Sequence, residues 1–579
     1  MKFIDCARVF QKLEEESSRN QMTKILAELL EQCTAKEAKI IAYVSMGSLF
    51  PPYQEIQFNI AQKSMIAILA DLLDVSEATI KKQVQASGDV GTVVGQLWQG
   101  SDKGMTLHQV YSELVAIAEI TGTGSIEKKT KKIIEILHHV DHVGAKFIVR
   151  MVTKTMRLGF SDMTFLDALS WMQAGDKSLT VRIEHAYNIC ADLGLVAETL
   201  KSDGIQAIDN MEIQVGIPIR PAAAERLKSP QAIVEKLGDC VAQPKLDGFR
   251  IQVHVKKHGS TTEVHFFSRN MIDMSDMFPD LKKIVQHDLD VKSLICEGEA
   301  IVYDEDTDTF LPFQQTVKRK RKHDIEQMSQ DLPLRLYLFD ILYIDGKSLL
   351  DHTHKQRRQI LVDLCKPIKD TALQVIGQKH IHTAQELQDY FLHNIHAGLE
   401  GLVVKREDAI YQPGKRNFNW IKLKRESHGS LLDTIDGVIL GYYAGRGKRA
   451  HFGIGAFLLG VYDDHDDTFK TVAKVGTGLS DDAWKQLKKA CDALTVDHKP
   501  KNIVCSKELV PDVWLQPEIV CTVMSEEITI SPVHTAGKTE HHLGYGLRFP
   551  RFITYRADKS AHDATTVKEL KQLFTQQKS

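Results

Sequence analysis

Gln243-Pro-Lys-Leu-Asp-Gly-Phe-Arg250 sets a lysine before an Asp-Gly turn, and the alternating run Phe249-Arg250-Ile-Gln-Val-His-Val255 predicts the strand that follows. A lysine in this setting is a candidate covalent nucleophile. Given average residue usage, Lys-x-Asp-Gly-x-Arg should occur by chance in roughly one in a hundred chains of this length. The shorter form carries less. Lys201-Ser-Asp-Gly204 matches it but has Gln206 where the arginine should stand, and it follows the apolar helical run Leu193, Leu195, Val196, Leu200. Lys201 is therefore read as part of a helix-terminating turn, and Lys245 as functional.

At 579 residues the chain exceeds one core, and the patterning described below divides it into three units. Its 43% hydrophobic and 26% charged residues describe an ordinary soluble protein. No apolar run reaches the roughly 18 residues of a membrane span, and Asp5 stands where a signal peptide would carry its apolar core. The nine cysteines are scattered without a Cys-x-x-Cys pair, which argues against zinc and for a reducing compartment. A net charge of −3 gives no global attraction to nucleic acid, so any such affinity must come from local basic surfaces and weaken with salt.

The first 200 residues carry helical spacing, as in Met22, Ile25, Leu26, Leu29, Leu30 and later Ile133, Ile134, Ile136, Leu137. Thr121-Gly-Thr-Gly-Ser125 precedes a helix with lysines at 128, 129, 131 and 132. The glycines let a phosphate approach the backbone, although a capped helix with a solvated basic face is the bland alternative. Ile217-Pro-Ile-Arg-Pro221 ends the helical pattern. Alternating runs then appear at 250–255, 334–339 and 401–405, with a helix around 384–395. A third, mostly β region opens at Asp436-Gly-Val-Ile-Leu-Gly-Tyr442 and ends near Tyr555. Val567, Leu570, Leu573 and Phe574 mark one face of a terminal helix.

Further segments occur in order after Lys245: Phe267-Ser-Arg-Asn270, Glu297-Gly-Glu-Ala-Ile301, Leu338-Phe-Asp-Ile-Leu-Tyr343, Glu400-Gly-Leu-Val-Val-Lys405, Trp420-Ile-Lys-Leu-Lys424 and Arg548-Phe-Pro-Arg-Phe552. With the lysine motif they resemble the nucleotidyltransferases that form lysine-nucleotide intermediates, and most closely the ATP-dependent DNA ligases of the archaeal and eukaryotic replicative type. The resemblance covers nearly the whole chain. The expected fold is multi-domain, α and α+β. It comprises a helical DNA-binding domain (1–210), a mixed α/β, ATP-grasp-like nucleotidyltransferase or adenylation domain (211–429) and an OB-fold β-barrel with a C-terminal helix (430–579).

The resemblance implies that Lys245 attacks the α-phosphate of ATP and holds AMP, which passes to the 5′-phosphate of a nick before the 3′-hydroxyl seals the strand. Lys422 and Lys424 alternate with Ile421 and Leu423, so both ammonium groups share one strand face and suit two phosphate contacts. Arg250 and Arg269 would add positive charge beside the nucleotide. Glu299 and Glu400 lie in apolar strand contexts, where a carboxylate needs a partner or a metal. Both are assigned to Mg²⁺, with Mn²⁺ as a substitute, and Glu299 also to the nucleotide. By resemblance, Phe339 is the adenine platform and Arg416 a nucleotide contact. Arg548 and Arg551 in the barrel reach the triphosphate, and Gly122, Gly124, Lys128, Lys129, Arg150 and Arg157 grip duplex DNA.

Gln243 stands where these ligases usually have glutamate, so ATP is expected but exclusive use of it is not; a glutamine offers a donor as well as an acceptor. No sliding-clamp docking peptide is found around Gln99-Gly-Ser-Asp-Lys103, so a clamp partner is not expected. The basic run Lys318-Arg-Lys-Arg-Lys322 reads as a loop charge cluster near DNA. The remaining expectations are nicked double-stranded DNA as partner, a monomer, no membrane and a cytoplasmic, nucleoid-associated location in a prokaryote, with a nuclear one left open. The competing enzymatic reading is an RNA ligase or capping guanylyltransferase; the non-enzymatic one is a silent DNA-binding scaffold.

Overall fold

The computed structural model describes residues 1–54, 56–304, 309–311, 313–319, 325–424 and 434–577. The chain divides into two compact units, one formed by Met1–Ile60 with Gln99–Arg425 and the other by Ala61–Trp98 with Glu426–Ser579. The expected boundary at 429/430 and residues 320–322 of the basic run lie outside the described residues.

The first unit opens as helices. Arg19–Gln32 buries Met22, Leu26, Leu29 and Leu30, as its spacing predicts, and Ser125–Leu137 buries Ile133, Ile136 and Leu137. Thr34 and Glu37 form a reciprocal capping box ahead of Ala35–Ser45. Lys201-Ser-Asp-Gly204 ends its helix as expected: Gly204, with φ +74° and ψ −173°, breaks Leu193–Asp209 into two helices. Lys201 donates to the Glu31 carbonyl at 3.0 Å, a structural use of its ammonium.

Two sheets follow in the same unit. The five-stranded sheet runs in the order Ala223–Arg226, Arg416–Lys424, Gly401–Lys405, Cys240–Lys245, Lys379–Ile381. Alternation gives it two distinct faces. Cys240, Ala242, Leu402, Val404, Ile421 and Leu423 pack with Ile233 and Leu387 of the helices Pro230–Leu237 and Ala384–His396. The opposite face carries the polar residues of three motifs.

The seven-stranded sheet is built on Thr261–Ser268, Phe249–His258, Ser293–Asp304 and Leu334–Ile344. Ile251, Val253, Val255, Leu294, Cys296, Leu336 and Leu338 bury one face with Leu281, Val285 and Leu361 from covering helices. Arg250, Gln252, Glu297 and Glu299 alternate with these core residues, which places them on the other face.

In the second unit, strand Ile435–Tyr443 pairs with Ala456–Asp463 and Val520–Met524, the latter pairing in turn with Arg551–Tyr555. Ile439, Phe457, Leu459, Val472, Val523 and Phe552 fill the OB-like β core. The terminal helix Val567–Gln576 docks on it through Leu570, with Val567, Leu573 and Phe574 alongside. The helices Gln62–Leu73, Glu77–Ser87 and Val90–Leu97 belong to this unit as well. Among the described residues no helix is long and apolar enough to cross a membrane.

Candidate active site

Strand register assembles the site. Gly401 lies opposite Lys245 on one side and Lys424 on the other, so these residues form a single row across three strands. The next row is Gln243, Val403, Lys422, and the next Val241, Lys405, Trp420. Every residue in these rows shares a face, because strand alternation has a period of two. Gly401 has φ +142°, and a Cβ there would meet the Leu423 carbonyl oxygen at 2.2 Å, so no side chain fits between the two lysines.

Glu400, just ahead of that glycine, accepts hydrogen bonds from the ammonium groups of both Lys245 and Lys424. Burial pushes its carboxyl up, but the two lysines more than offset this and hold it below the ordinary glutamate value. The Lys422 ammonium is lowered by burial and then by Lys424, Arg416, Arg269 and Lys245. These cations lie close enough to Lys422 that each disfavours its charge.

On the seven-stranded sheet Glu299 is half-buried, and its carboxyl is pushed up to about 7 by desolvation against the opposing pull of Lys245, Arg250 and the Gly248 N–H. A desolvated carboxyl of this kind would be lowered again by a further cation. Arg250 is less free than the sequence suggested. It is gripped by both oxygens of Glu297 at 2.9 and 3.0 Å and donates to the Ala222 carbonyl at 2.8 Å. Burial opposes its charge, and Glu297 restores it. Arg250 and Arg269 nonetheless line one hollow with Glu297.

Phe339 is half-buried, in edge contact with Trp420. The Lys405 ammonium lies 4.9 Å from its ring and 4.3 Å from that of Trp420, and donates to the Phe339 carbonyl at 3.2 Å. Burial lowers the Lys405 ammonium to about 7 despite Asp340 nearby. Asp340 is paired bidentately with Arg357, both fully buried. Sequence reading missed Glu297, Lys405, Asp340, Arg357 and Gln378, the last of which accepts a hydrogen bond from Gln243 at 3.1 Å. Parity could have found two of them: Lys405 lies two residues beyond Val403, and Glu297 two before Glu299.

Two DNA-binding assignments are corrected. Lys129 is buried and donates to the Phe58 carbonyl at 2.7 Å, which closes the helical domain on itself. Arg150, 1% exposed, is paired with Glu14 at 2.7 Å. Their positions on helices look basic in sequence, yet tertiary partners turn both heads inward. Lys128 is exposed, Gly122 and Gly124 have positive φ with open space around them, and Arg157 is half-buried with φ +58°. Arg319 of the basic run is also interior, donating to Ser329 at 2.8 Å and paired with Asp280. In the second unit Arg548 donates to Glu527 at 3.0 Å, while Arg551 is exposed.

A row of amines flanked by carboxylates and backed by a half-exposed aromatic ring has the chemistry of a covalent nucleotidyl transferase. Comparison with known proteins narrows this. Residues 221–424 match the ATP dependent DNA ligase domain, 2–170 the DNA ligase N terminus and 450–559 the ATP dependent DNA ligase C terminal region. A "Probable DNA ligase" of Dictyoglomus turgidum is 42% identical over 100% of this chain and 98% of its own length. A "DNA ligase" of Sulfolobus acidocaldarius is 35% identical over 99% and 98%. The solved structure "Pmar-Lig_PreS3", 16% identical, superposes with a TM-score of 0.57 over 95% of this chain and 99% of that one, which speaks for the fold. The chain belongs to the ATP-dependent DNA ligases, enzymes that use ATP to close nicks in DNA.

Proposed function

We propose that Lys245 is the residue through which this ligase carries AMP to the 5′-phosphate of a nick in duplex DNA. The row Lys245, Gly401, Lys424 with Glu400 bonded to both amines is the observation that carries this reading. Glu400 orients the Lys245 amine through this hydrogen bond. Nζ attacks the α-phosphorus; the P–N bond forms as the bond to the bridging oxygen breaks, and pyrophosphate leaves. The 5′-phosphate oxygen then displaces Lys245, and finally the 3′-hydroxyl displaces AMP.

In each step negative charge on phosphate oxygens is met by preorganised cations, here Lys422, Lys424, Arg416 and Arg269. Arg548 and Arg551 are proposed to orient pyrophosphate, Phe339 to stack on adenine, and Arg250 to be set by Glu297 toward the nucleotide. Glu400 and Glu299 suit Mg²⁺ or Mn²⁺, which prefer one or two carboxylates plus substrate phosphates; such an ion would supply further charge neutralisation. Gly122, Gly124, Lys128 and Arg157 are proposed to contact the duplex. The partition into 1–210, 211–429 and 430–579 and a monomeric state are retained in this reading, as is a cytoplasmic site of action without a clamp partner.

The test is self-labelling with α-radiolabelled ATP followed by a chase with nicked DNA. Label on wild type and on Lys201→Ala, but none on Lys245→Ala, supports the assignment. Label retained on Lys245→Ala overturns it.

A further inference from the structure

We propose that Gln243 and Gln378 form a reversible amide pair that lets this site take 6-oxopurine as well as 6-aminopurine triphosphates, an inference that rests on the nucleotidyl-transfer reading above. Gln243 is 2% exposed, and its Nε2 donates to Gln378 Oε1 at 3.1 Å. That is the one hydrogen bond of its side chain among the described residues, which leaves its amide oxygen for a ligand. Gln243 stands two residues before Lys245 on the same strand face, so a nucleotide whose α-phosphate meets Lys245 extends along this face. Leu246, Tyr337 and Ile376 belong to an apolar group with Phe339 packed against it. Leu246 follows Lys245, and Ile376 lies two residues before Gln378. Lys424 completes the row of Lys245, and Lys422 stands two strands from Gln243 in its row, while the immediate neighbours of Gln243 are Val403 and the Gln378 amide.

A purine edge meeting Gln243 is read by one amide atom. With Nε2 committed to Gln378, the oxygen is the amide atom left to accept from a 6-amino group. If both amides reverse together, Gln378 Nε2 donates to Gln243 Oε1 and the inter-glutamine bond is kept. Gln243 Nε2 then faces outward and donates to a 6-oxo group. Neither orientation leaves a buried polar atom unpaired, so neither base meets the penalty of an unmatched group. A carboxylate at either position removes this freedom. At 243 it can only accept from the base; at 378 it can only accept from Gln243, which locks the Gln243 oxygen toward the base. A lysine at 378 does the reverse, donating to Gln243 Oε1 and turning Nε2 outward.

The experiment compares the rate of Lys245 labelling by ATP and by inosine triphosphate in the full chain and in Gln243→Glu, Gln378→Glu and Gln378→Lys. In wild type the two rates should lie within about tenfold of each other. Both glutamate variants should raise the ATP:inosine ratio by about a hundredfold, whereas Gln378→Lys should shift it toward inosine. Opposite signs for Glu and Lys at one position are not expected of simple damage to the pocket. A ratio that is strongly ATP-selective in wild type, or one that Gln378→Glu and Gln378→Lys move in the same direction, overturns the inference. Wild type that takes label from neither nucleotide sinks the underlying ligase chemistry instead. If a Gln378 variant does not fold, the wild-type ratio set against Gln243→Glu still decides.

Discussion

Replacing Lys405 with methionine tests whether the aromatic platform is supported by a buried amine that is easily deprotonated. Burial takes the Lys405 ammonium from 10.5 to about 7. Over that interval the unfolded chain binds the proton and the folded chain does not, so stability rises with pH. The protonation penalty is fully present below pH 7 and is gone above about 10.5. Each pH unit of the gap is worth about 1.4 kcal/mol, giving a full penalty on the order of 5 kcal/mol. Methionine keeps the apolar volume and carries no proton, so Lys405→Met lacks this dependence. It gives up the hydrogen bond to the Phe339 carbonyl and the ring contacts, together about 1–3 kcal/mol. The variant should match or exceed wild type near pH 6.5 and fall behind it by pH 9.5, the difference moving by about 3 kcal/mol. Urea unfolding of both proteins at several pH values, taken at the transition of the first unit, reads this directly. Parallel curves would refute the reasoning and mean that Lys405 stays charged.

Other substitutions probe the remaining structural assignments. Gly401→Ala places a Cβ 2.2 Å from the Leu423 carbonyl oxygen, so the strand must shift; self-labelling should drop sharply, as measured by label per mole of folded protein. Arg357→Leu leaves Asp340 buried without its bidentate partner and should cost about 3–5 kcal/mol in urea unfolding. Lys129→Met should cost about 1–3 kcal/mol of stability by stranding the Phe58 carbonyl. Lys128→Ala should instead leave unfolding untouched and lower the salt slope of nick binding by about one, as read by fluorescence anisotropy at several salt concentrations.

The shared face of the three lysines was legible because strand parity is a local rule. Once Lys422 and Lys424 sit on a strand, their shared face follows, and Lys245 joins them through pairing with Gly401. Direction on a helix is not local in the same way. Lys128 and Lys129 are neighbours in sequence, yet one is solvated and the other reaches a carbonyl 71 residues away. Arg150 is absorbed by Glu14, 136 residues distant. The break at Gly204 was legible by contrast, because a positive φ at glycine is set by the local Asp-Gly pair. Glu297 and Lys405 were within reach of parity; Arg357 and Gln378 were not, since each depends on a partner brought in by tertiary pairing.

These placements separate two kinds of charge within one unit. On the rows holding Lys245, Lys422 and Lys424, positive charge exceeds what Glu400 can neutralise, so the surplus is available to phosphate. Around Phe339 the opposite holds: Arg250 is matched by Glu297, and Arg357 by Asp340. A matched buried pair adds little attraction for a ligand but is costly to disturb, so it fixes the ring and strand positions around it. Lys405 lies between the two systems, in the third row of the same strand face, two residues beyond the row of Lys422. Its lowered ammonium lets it fill space among matched charges without adding another to them. An arginine there could not give up its proton and would bring an extra charge against the Phe339 ring, which is why the methionine variant, rather than the arginine one, isolates what the amine contributes.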